Sequence, residues 1–261
     1  MLTANKISFS YNNNPFVDGI SFDVKAGEIV GVIGPNGSGK TTLIRLISGI
    51  LPLSEGSISL NGISIEDLEP RERARLVSVV PQNANLPNGL TVLDLVLLAR
   101  NPHLSIFQLE GRSDIEIAIR AIQDAGIESL FDRYVDSLSG GEKQRAVIAM
   151  ALAQQCPILL LDEPTSNLDL THQSAIMNTI VKTMESKSAA VLITMHDLTL
   201  AAQYCTHLIM LSNGGIHAQG MPTDVLSTKN IEEVYGTSVD ILSHPDRDTP
   251  IILPKSTHTS N

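Results

Sequence analysis

The segment GPNGSGKTT, from Gly34 to Thr42, has the residue types and spacing that most directly imply chemistry. It fits G-x-x-x-x-G-K-[ST], with Gly34, Gly39, Lys40 and Thr41 at the fixed positions and Pro35, Asn36, Gly37 and Ser38 between them. Glycines let successive backbone N–H groups turn toward phosphate oxygens, and a helix opening near Thr41 adds its dipole. Lys40 then reaches the terminal phosphates, and the Thr41 hydroxyl is an oxygen ligand for magnesium. The alternative, a glycine-rich turn before a helix, requires a chance match on the order of one in a hundred at average glycine usage.

Three further polar positions each follow a short apolar run. Pro81-Gln82 comes after residues 77–80, Asp162-Glu163 after 158–161, and His196 after 191–195. In the acidic pair, one carboxylate can join a magnesium shell while the other polarises a water for attack on a γ-phosphate. Capping of the turn at Pro164 would account for one acid but not for both. A lone histidine after a strand is commonly a satisfied structural group, whereas a place beside the phosphate loop gives His196 a ligand to meet. In LSGGE, Ser139 and Glu142 form a capping box for a helix over 146–153. That leaves Gly140 and Gly141 unexplained, since glycine in a first turn costs about 1 kcal/mol relative to alanine. Glycines there let a second anion approach the exposed N–H groups.

The elements that must position these groups show in the hydrophobic pattern. Residues 29–33, 77–80, 158–161 and 191–195 are short and apolar on both faces, which suits the buried middle of a parallel sheet. Ligands of such sheets bind at the carboxyl ends of the strands, so all four polar groups should converge. Before and between these runs a period of two marks half-buried antiparallel strands, at Ile7, Phe9 and Tyr11, at Ile20, Phe22 and Val24, and at Ile58 and Leu60. Ile63 and Ile65 continue it after an Asn61-Gly62 hairpin turn. Helices are expected over 41–48, with Gly49 at the C-cap and Pro52 beyond, and over 92–100 and 115–125. Residues 84–155 contain no convincing strand and should form a helical lobe.

Composition narrows the class. In 261 residues, 28 Asp+Glu against 18 Lys+Arg give a net charge of −10, which argues against nucleic acid or anionic lipid as the main partner. With 43% hydrophobic residues the chain can build a packed core. No apolar run approaches the ~20 residues of a membrane helix, and MLTANKISFSY has no signal-peptide apolar region, so a soluble cytosolic chain is expected. Cys156 and Cys205 read as buried reduced thiols, and seven scattered histidines lack the spacing of a transition-metal site.

Taken in order, GPNGSGKTT, Gln82 in VVPQ, LSGGE, ILLLDEP, Ser166-Asn167-Leu168-Asp169 and His196 resemble the ATP-binding cassette of the ABC transporter family, over about residues 2–235. The resemblance implies an α/β P-loop NTPase core with a mostly parallel sheet, an N-terminal antiparallel β subdomain and a helical subdomain at about 84–155. This cassette would occupy residues 1–235, and 236–261 would be a partly mobile C-terminal extension. It implies an ATPase that binds ATP and magnesium and works as a head-to-tail homodimer, ATP on one P-loop being completed by the LSGGE helix of the other copy.

Carried over by position, Tyr11 resembles the aromatic that stacks on adenine, although it also continues the Ile7, Phe9 alternation as a core residue would. Gly34, Pro35, Asn36, Gly37, Ser38, Gly39, Lys40, Thr41 and Thr42 correspond to the phosphate loop. Thr41, Gln82 and Asp162 would hold magnesium directly or through water. Glu163 resembles the general base, and His196 the contact to the γ-phosphate; with Lys40 and Gln82 they form the catalytic set. Asp169 would lie in a dimer-bridging loop. Ser139, Gly140 and Gly141 would meet the other subunit's γ-phosphate, with Glu142 where the family more often has Gln.

The stretches PRERARLVSVVPQ, VLLARNPHLSIFQ, MPTDVLSTKNIEEVYG and IILP resemble cassettes of ferric-siderophore, haem and cobalamin importers. That likeness implies a peripheral subunit at the cytoplasmic face of the membrane, bound to two transmembrane permease subunits and serving an extracytoplasmic substrate-binding protein indirectly, with no nucleic-acid partner. Gln82 and the helical lobe would receive the permease's coupling helices, and Leu95, Leu97 and Leu98 either face that partner or pack the lobe. An importer ATPase for molybdate, zinc or manganese is an alternative. A soluble non-transport cassette fits less well with one P-loop, one LSGGE and no heptad insertion.

Overall fold

The structure, a computed structural model, describes residues 1–12, 14–105, 108–166, 168–187, 189–245 and 247–255. Asn167 of the dimer-loop motif, Ile106 and Phe107 of an importer-like stretch, and tail residues 256–261 lie outside the described residues. The chain opens with the antiparallel pair β1 (Leu2–Tyr11) and β2 (Asn14–Val24), then turns inward as β3 (Ile29–Ile33) and α1 (Lys40–Ile47). Strands β4 (Glu55–Leu60) and β5 (Ile63–Ser64) return to the first sheet, whose order is β2-β1-β4-β5. Asn61 and Gly62 join them with φ of 51° and 83°, the left-handed pair that a two-residue hairpin turn demands. Ile65 is not in the strand: it begins a 3-10 turn (Ile65–Asp67) but stays buried.

Helix α2 (Pro70–Leu76) leads into β6 (Val77–Val80). The lobe follows as α3 (Val92–Leu98), α4 (Arg112–Asp124) and α5 (Gly140–Ala153), which pack on one another. Leu95 is core and Leu98 is exposed, so the lobe's leucines divide between packing and surface. Then come β7 (Ile158–Asp162), α6 (Leu170–Lys187), β8 (Ala190–Thr194), α7 (Leu198–Tyr204), β9 (His207–Ser212) and β10 (Gly215–Gly220). The central sheet runs β10-β9-β3-β8-β7-β6, parallel except for β10.

Both faces of this sheet are covered, which is why its strands are apolar throughout. Val30 and Val32 of β3 pack with Leu43, Leu46, Ile58 and Leu60 on one side, whereas Ile29 and Ile33 join Ile148, Leu152 and Met177 on the other. A Cβ on Gly31 would stand 2.7 Å from Cys205 Sγ, so β3 and the end of α7 meet at a distance only glycine allows. Cys205 is buried and Cys156 half-buried, both free, and burial pushes both thiols up to about 12.

After α8 (Pro222–Val225) and α9 (Thr228–Tyr235), strands β11 (Val239–Ser243) and β12 (Pro250–Pro254) form a hairpin in the segment where the sequence reading drew no element. Val239 and Ile252 insert into the core, and Ile252 N donates to Thr199 Oγ1 on α7 at 3.0 Å.

A buried ion pair ties the lobe together. Arg100, just past α3, bonds Asp114 of α4 at 3.0 Å and donates to the Ala153 carbonyl of α5 at 2.7 Å, both side chains being almost fully enclosed. The Gly111 N–H, with Arg100 behind it, holds the Asp114 carboxyl below the usual carboxylate range. Removing one member of a buried pair strands the other. Asp114→Ala is therefore expected to cost about 3 kcal/mol and lower Tm by roughly 6–12 °C. Calorimetry showing an unchanged Tm would remove this pair from the lobe's support.

Candidate active site

The four polar groups emerge from the carboxyl ends of neighbouring strands, in the order β3, β8, β7, β6. They converge on a cleft of about 390 Å³ lined by Phe16, Asn36, Gly37, Gly39, Lys40, Thr41, Thr42, Gln82, Glu163 and His196.

The loop after β3 is shaped by close packing. Gly34 has φ of 152°, and a Cβ there would lie 2.5 Å from the Leu211 carbonyl oxygen and 2.6 Å from Ser38 Oγ. Ser38 is itself buried, and its hydroxyl has no partner among the described residues. Gly39, with a left-handed φ of 105°, is the N-cap of α1; among the described residues no side chain caps the helix, and its first turn carries no acid. Its leading N–H groups open onto the cleft uncapped, the arrangement that receives an anion. Lys40 is 6% exposed and donates to the carbonyls of Gly34 at 2.9 Å and Pro35 at 3.2 Å. Burial pulls its ammonium below the ordinary lysine range, against the opposing pull of Glu163 and Asp162.

Asp162 and Glu163 end β7 with 4% and 7% exposure. Asp162 Oδ1 accepts from Thr194 Oγ1 at 2.8 Å and from Thr41 Oγ1 at 3.2 Å. The Thr41 and Asp162 oxygens form the hard-donor pair that magnesium takes from a protein while phosphates and waters complete its shell, so these residues fit that ion. Glu163 is turned into the cleft by a left-handed φ of 49°. Gln82 Nε2 donates to Glu163 Oε2 at 2.6 Å, and His196 Nε2 lies 2.5 Å from Oε1. Neither carboxylate caps the turn at Pro164; the Glu163 carbonyl closes it by accepting from Ser166 N and Oγ. His196 is about half exposed on the cleft wall, unlike a satisfied core histidine.

Tyr11 is 39% exposed, so it departs from the buried alternation of Ile7 and Phe9. Its hydroxyl lies 3.4 Å from Thr42 Oγ1, and its ring meets Phe9 and Phe16 edge-on at centroid distances of 4.7 and 5.3 Å. Phe16 lines the cleft and was not among the residues expected there; nothing in its strand pattern marks it. Thr194 was also missed. It is fully buried, bonding both the Asp162 carboxylate and the Glu163 N–H, and its signal was a hydroxyl inside the apolar run VLITM.

Ser139, Gly140, Gly141 and Glu142 do not line this cleft. Ser139 Oγ accepts from Glu142 N at 3.4 Å and Ser139 N donates to Glu142 Oε2 at 2.7 Å, which is the expected capping box. Among the described residues, nothing outside the helix's own backbone comes within 4 Å of a Cβ position on Gly140, so one side of this helix start is open. The Ser139 N–H holds the Glu142 carboxyl below the usual carboxylate range, and Arg133 lies 4.0 Å away; the extra charge is directed back into its own chain. Asp169 is exposed ahead of α6, paired with His172 at 2.7 Å.

The ABC transporter family pattern matches residues 17–166. The ferric enterobactin transport ATP-binding protein FepC of Escherichia coli (strain K12) is 36% identical over 253 residues, 97% of this chain and 93% of that protein. The hemin import ATP-binding protein HmuV of Gloeobacter violaceus is 38% identical over 261 aligned positions, 97% of this chain and 94% of that protein. Among solved structures, one described as a metal-chelate type ABC transporter in an inward-facing conformation superposes with a TM-score of 0.85 at 27% identity, covering 98% of each chain.

The capping box separates charge from geometry at position 142. Glu142→Gln keeps an acceptor for Ser139 N–H and should leave Tm within about 1 °C, whereas Glu142→Ala loses roughly 0.5–1 kcal/mol and about 1–4 °C. Equal losses in thermal melts of the two variants would show that the carboxylate's charge, and not its acceptor, supports the helix start.

Proposed function

The chain belongs to the ABC transporter family and is an ATP-binding ATPase, and from that premise we propose that it drives an importer of a metal chelate such as a ferric siderophore, haem or cobalamin. In this reading two copies bind two permease subunits at the cytoplasmic face of the membrane, and closure of the pair around ATP drives transport. Among the described residues no helix is long and apolar enough to cross a membrane. The pathway therefore belongs to partners in this proposal.

One observation carries the two-copy reading: the cleft gathers the groups for hydrolysis but lacks the Ser139–Gly141 helix start, whose open side is left for a ligand held elsewhere. ATP phosphates would settle on the uncapped N–H groups of α1, with Lys40 moving from its two carbonyls to the γ-phosphate oxygens. Adenine would stack on Tyr11. Thr41 and Asp162 would hold magnesium, with Gln82 joining through water. When bound, that ion neutralises charge on the phosphates. Glu163 would accept the proton of a water whose oxygen attacks the γ-phosphorus as the bond to the bridging oxygen breaks, giving ADP and phosphate. For this, Gln82 or His196 must yield one of the two carboxylate oxygens they occupy, and His196 would then turn to the γ-phosphate. Ser139, Gly140 and Gly141 of the other copy would close the site, with the Asp169 loop at the seam.

A groove of about 300 Å³ lies between β6 with the segment after it and helix α5, with Ala99 just past α3 at its wall, lined also by Pro81, Asn85, Leu86, Val147 and Met150. Ser78 Oγ there is buried without a partner among the described residues. It adjoins Gln82 and would seat the permease's coupling helix.

Glu163→Gln is expected to retain ATP binding while lowering turnover by roughly two to four orders of magnitude, the scale of a lost general base. Near-normal ATPase in that variant would remove Glu163 from the role. Lys40→Ala should abolish productive nucleotide binding in a titration. In vesicles holding the permease pair, a ferric chelate presented by its binding protein should stimulate ATPase; stimulation by an oxyanion or a bare divalent ion instead would overturn the substrate class.

A further inference from the structure

The Asp169 loop and the Ser139 helix start are far apart in sequence, and the His172 side chain lies between them, bonded to the loop and standing beside Gly141. His172 lies in the first turn of α6. Its backbone N–H donates to Asp169 Oδ1 at 2.9 Å, and its ring Nδ1 reaches the same oxygen at 2.7 Å. The backbone bond alone is enough to cap α6, so the ring adds nothing the helix requires. The His172 N–H contacts keep the Asp169 carboxyl below the usual carboxylate range. An ionised acceptor there requires the hydrogen on Nδ1, which fixes the tautomer and the ring plane. On the ring's other side, Cδ2 and Cγ lie 3.4 and 3.6 Å from where a Cβ on Gly141 would stand, with Leu168 Cδ2 beside them at 3.6 Å.

The loop itself is pinned from the next residue. Gln173 Nε2 donates to the carbonyls of Leu168 at 3.1 Å and Thr165 at 3.4 Å, and Gln173 N donates to the Asp169 carbonyl at 2.9 Å. These bonds tie the loop to the start of α6, and the imidazole stands between that start and Gly141. We propose that His172 is a positioning residue, a strut through which the Asp169 loop sets the glycine turn that meets the other copy's nucleotide. The proposal rests on the two-copy reading above. It assigns His172 no contact with ATP: its effect is on how well one copy's helix start fits the other's phosphates.

The test uses the full chain carrying Glu163→Gln to prevent hydrolysis, with ATP-dependent pairing followed by analytical ultracentrifugation and single-copy affinity by ADP titration. Adding His172→Ala should weaken pairing roughly tenfold, since a pair of copies loses two such contacts, each worth about threefold for an exposed charged pair. ADP affinity should stay within about twofold, because the P-loop of the same copy is untouched. His172→Asn places an amide nitrogen at Nδ1 and its second branch at Cδ2, and should restore pairing to within about threefold. Pairing of the Ala variant equal to the parent's, or an Asn variant as weak as Ala, overturns the strut. If Ala fails to fold, Asn against His172→Phe decides, since Phe keeps a ring and drops the donor; Phe pairing as well as the parent overturns it. A parent with His172 intact that never pairs with ATP defeats the two-copy reading itself, and the strut falls with it.

Discussion

Two carboxylates stand side by side where a dry strand ends, and the surrounding architecture follows from giving them partners there. An ionised carboxylate buried without partners costs at least several kcal/mol, so Asp162 and Glu163 at 4% and 7% exposure require donors from every side. Thr194 comes from the next strand, Thr41 from the helix after β3, Gln82 from beyond β6, and His196 from beyond β8. Only a sheet that places β8 and β6 on either side of β7, with β3 one strand farther, delivers all four. The strand order and the reactive centre are one constraint seen at two scales.

How much of this the sequence discloses depends on whether a signal is local. Residues 29–33 and, apart from Ser78, 77–80 are apolar without alternation, and they are β3 and β6 to the residue. Asn61-Gly62 announces a turn that needs two left-handed residues, because few other pairs tolerate it. The convergence of Gly34–Thr42, Gln82, Asp162-Glu163 and His196 was legible because a parallel sheet presents all its carboxyl ends along one edge. What stayed hidden is set by tertiary neighbours. Phe16 reaches the cleft from β2, Tyr11 was ambiguous until its exposure was known, and no spacing rule links His172 to Gly141. The strands of the C-terminal hairpin are five residues each, and the core that accepts Val239 and Ile252 is built by distant helices.

Gln82 joins two regions of different character. Its amide bonds the Glu163 carboxylate, while the residues that follow it wall an open groove against the helical lobe. The lobe stands as a unit because Arg100 and Asp114 fasten α3, α4 and the end of α5 together. In the proposed reading, a push on the groove would bear on the tied lobe on one side and on the segment flanking Gln82 on the other, and through the Gln82 amide on Glu163.

The hydrogen bonds of Lys40 carry a consequence for selectivity. Its ammonium is held by the carbonyls of Gly34 and Pro35, which lie in the loop the lysine helps to form. A phosphate oxygen that engages this ammonium must exchange for one of those carbonyls. In the proposed reading a nucleoside, which carries no such oxygen, would leave both bonds in place, so the lysine would favour ligands long enough to replace them.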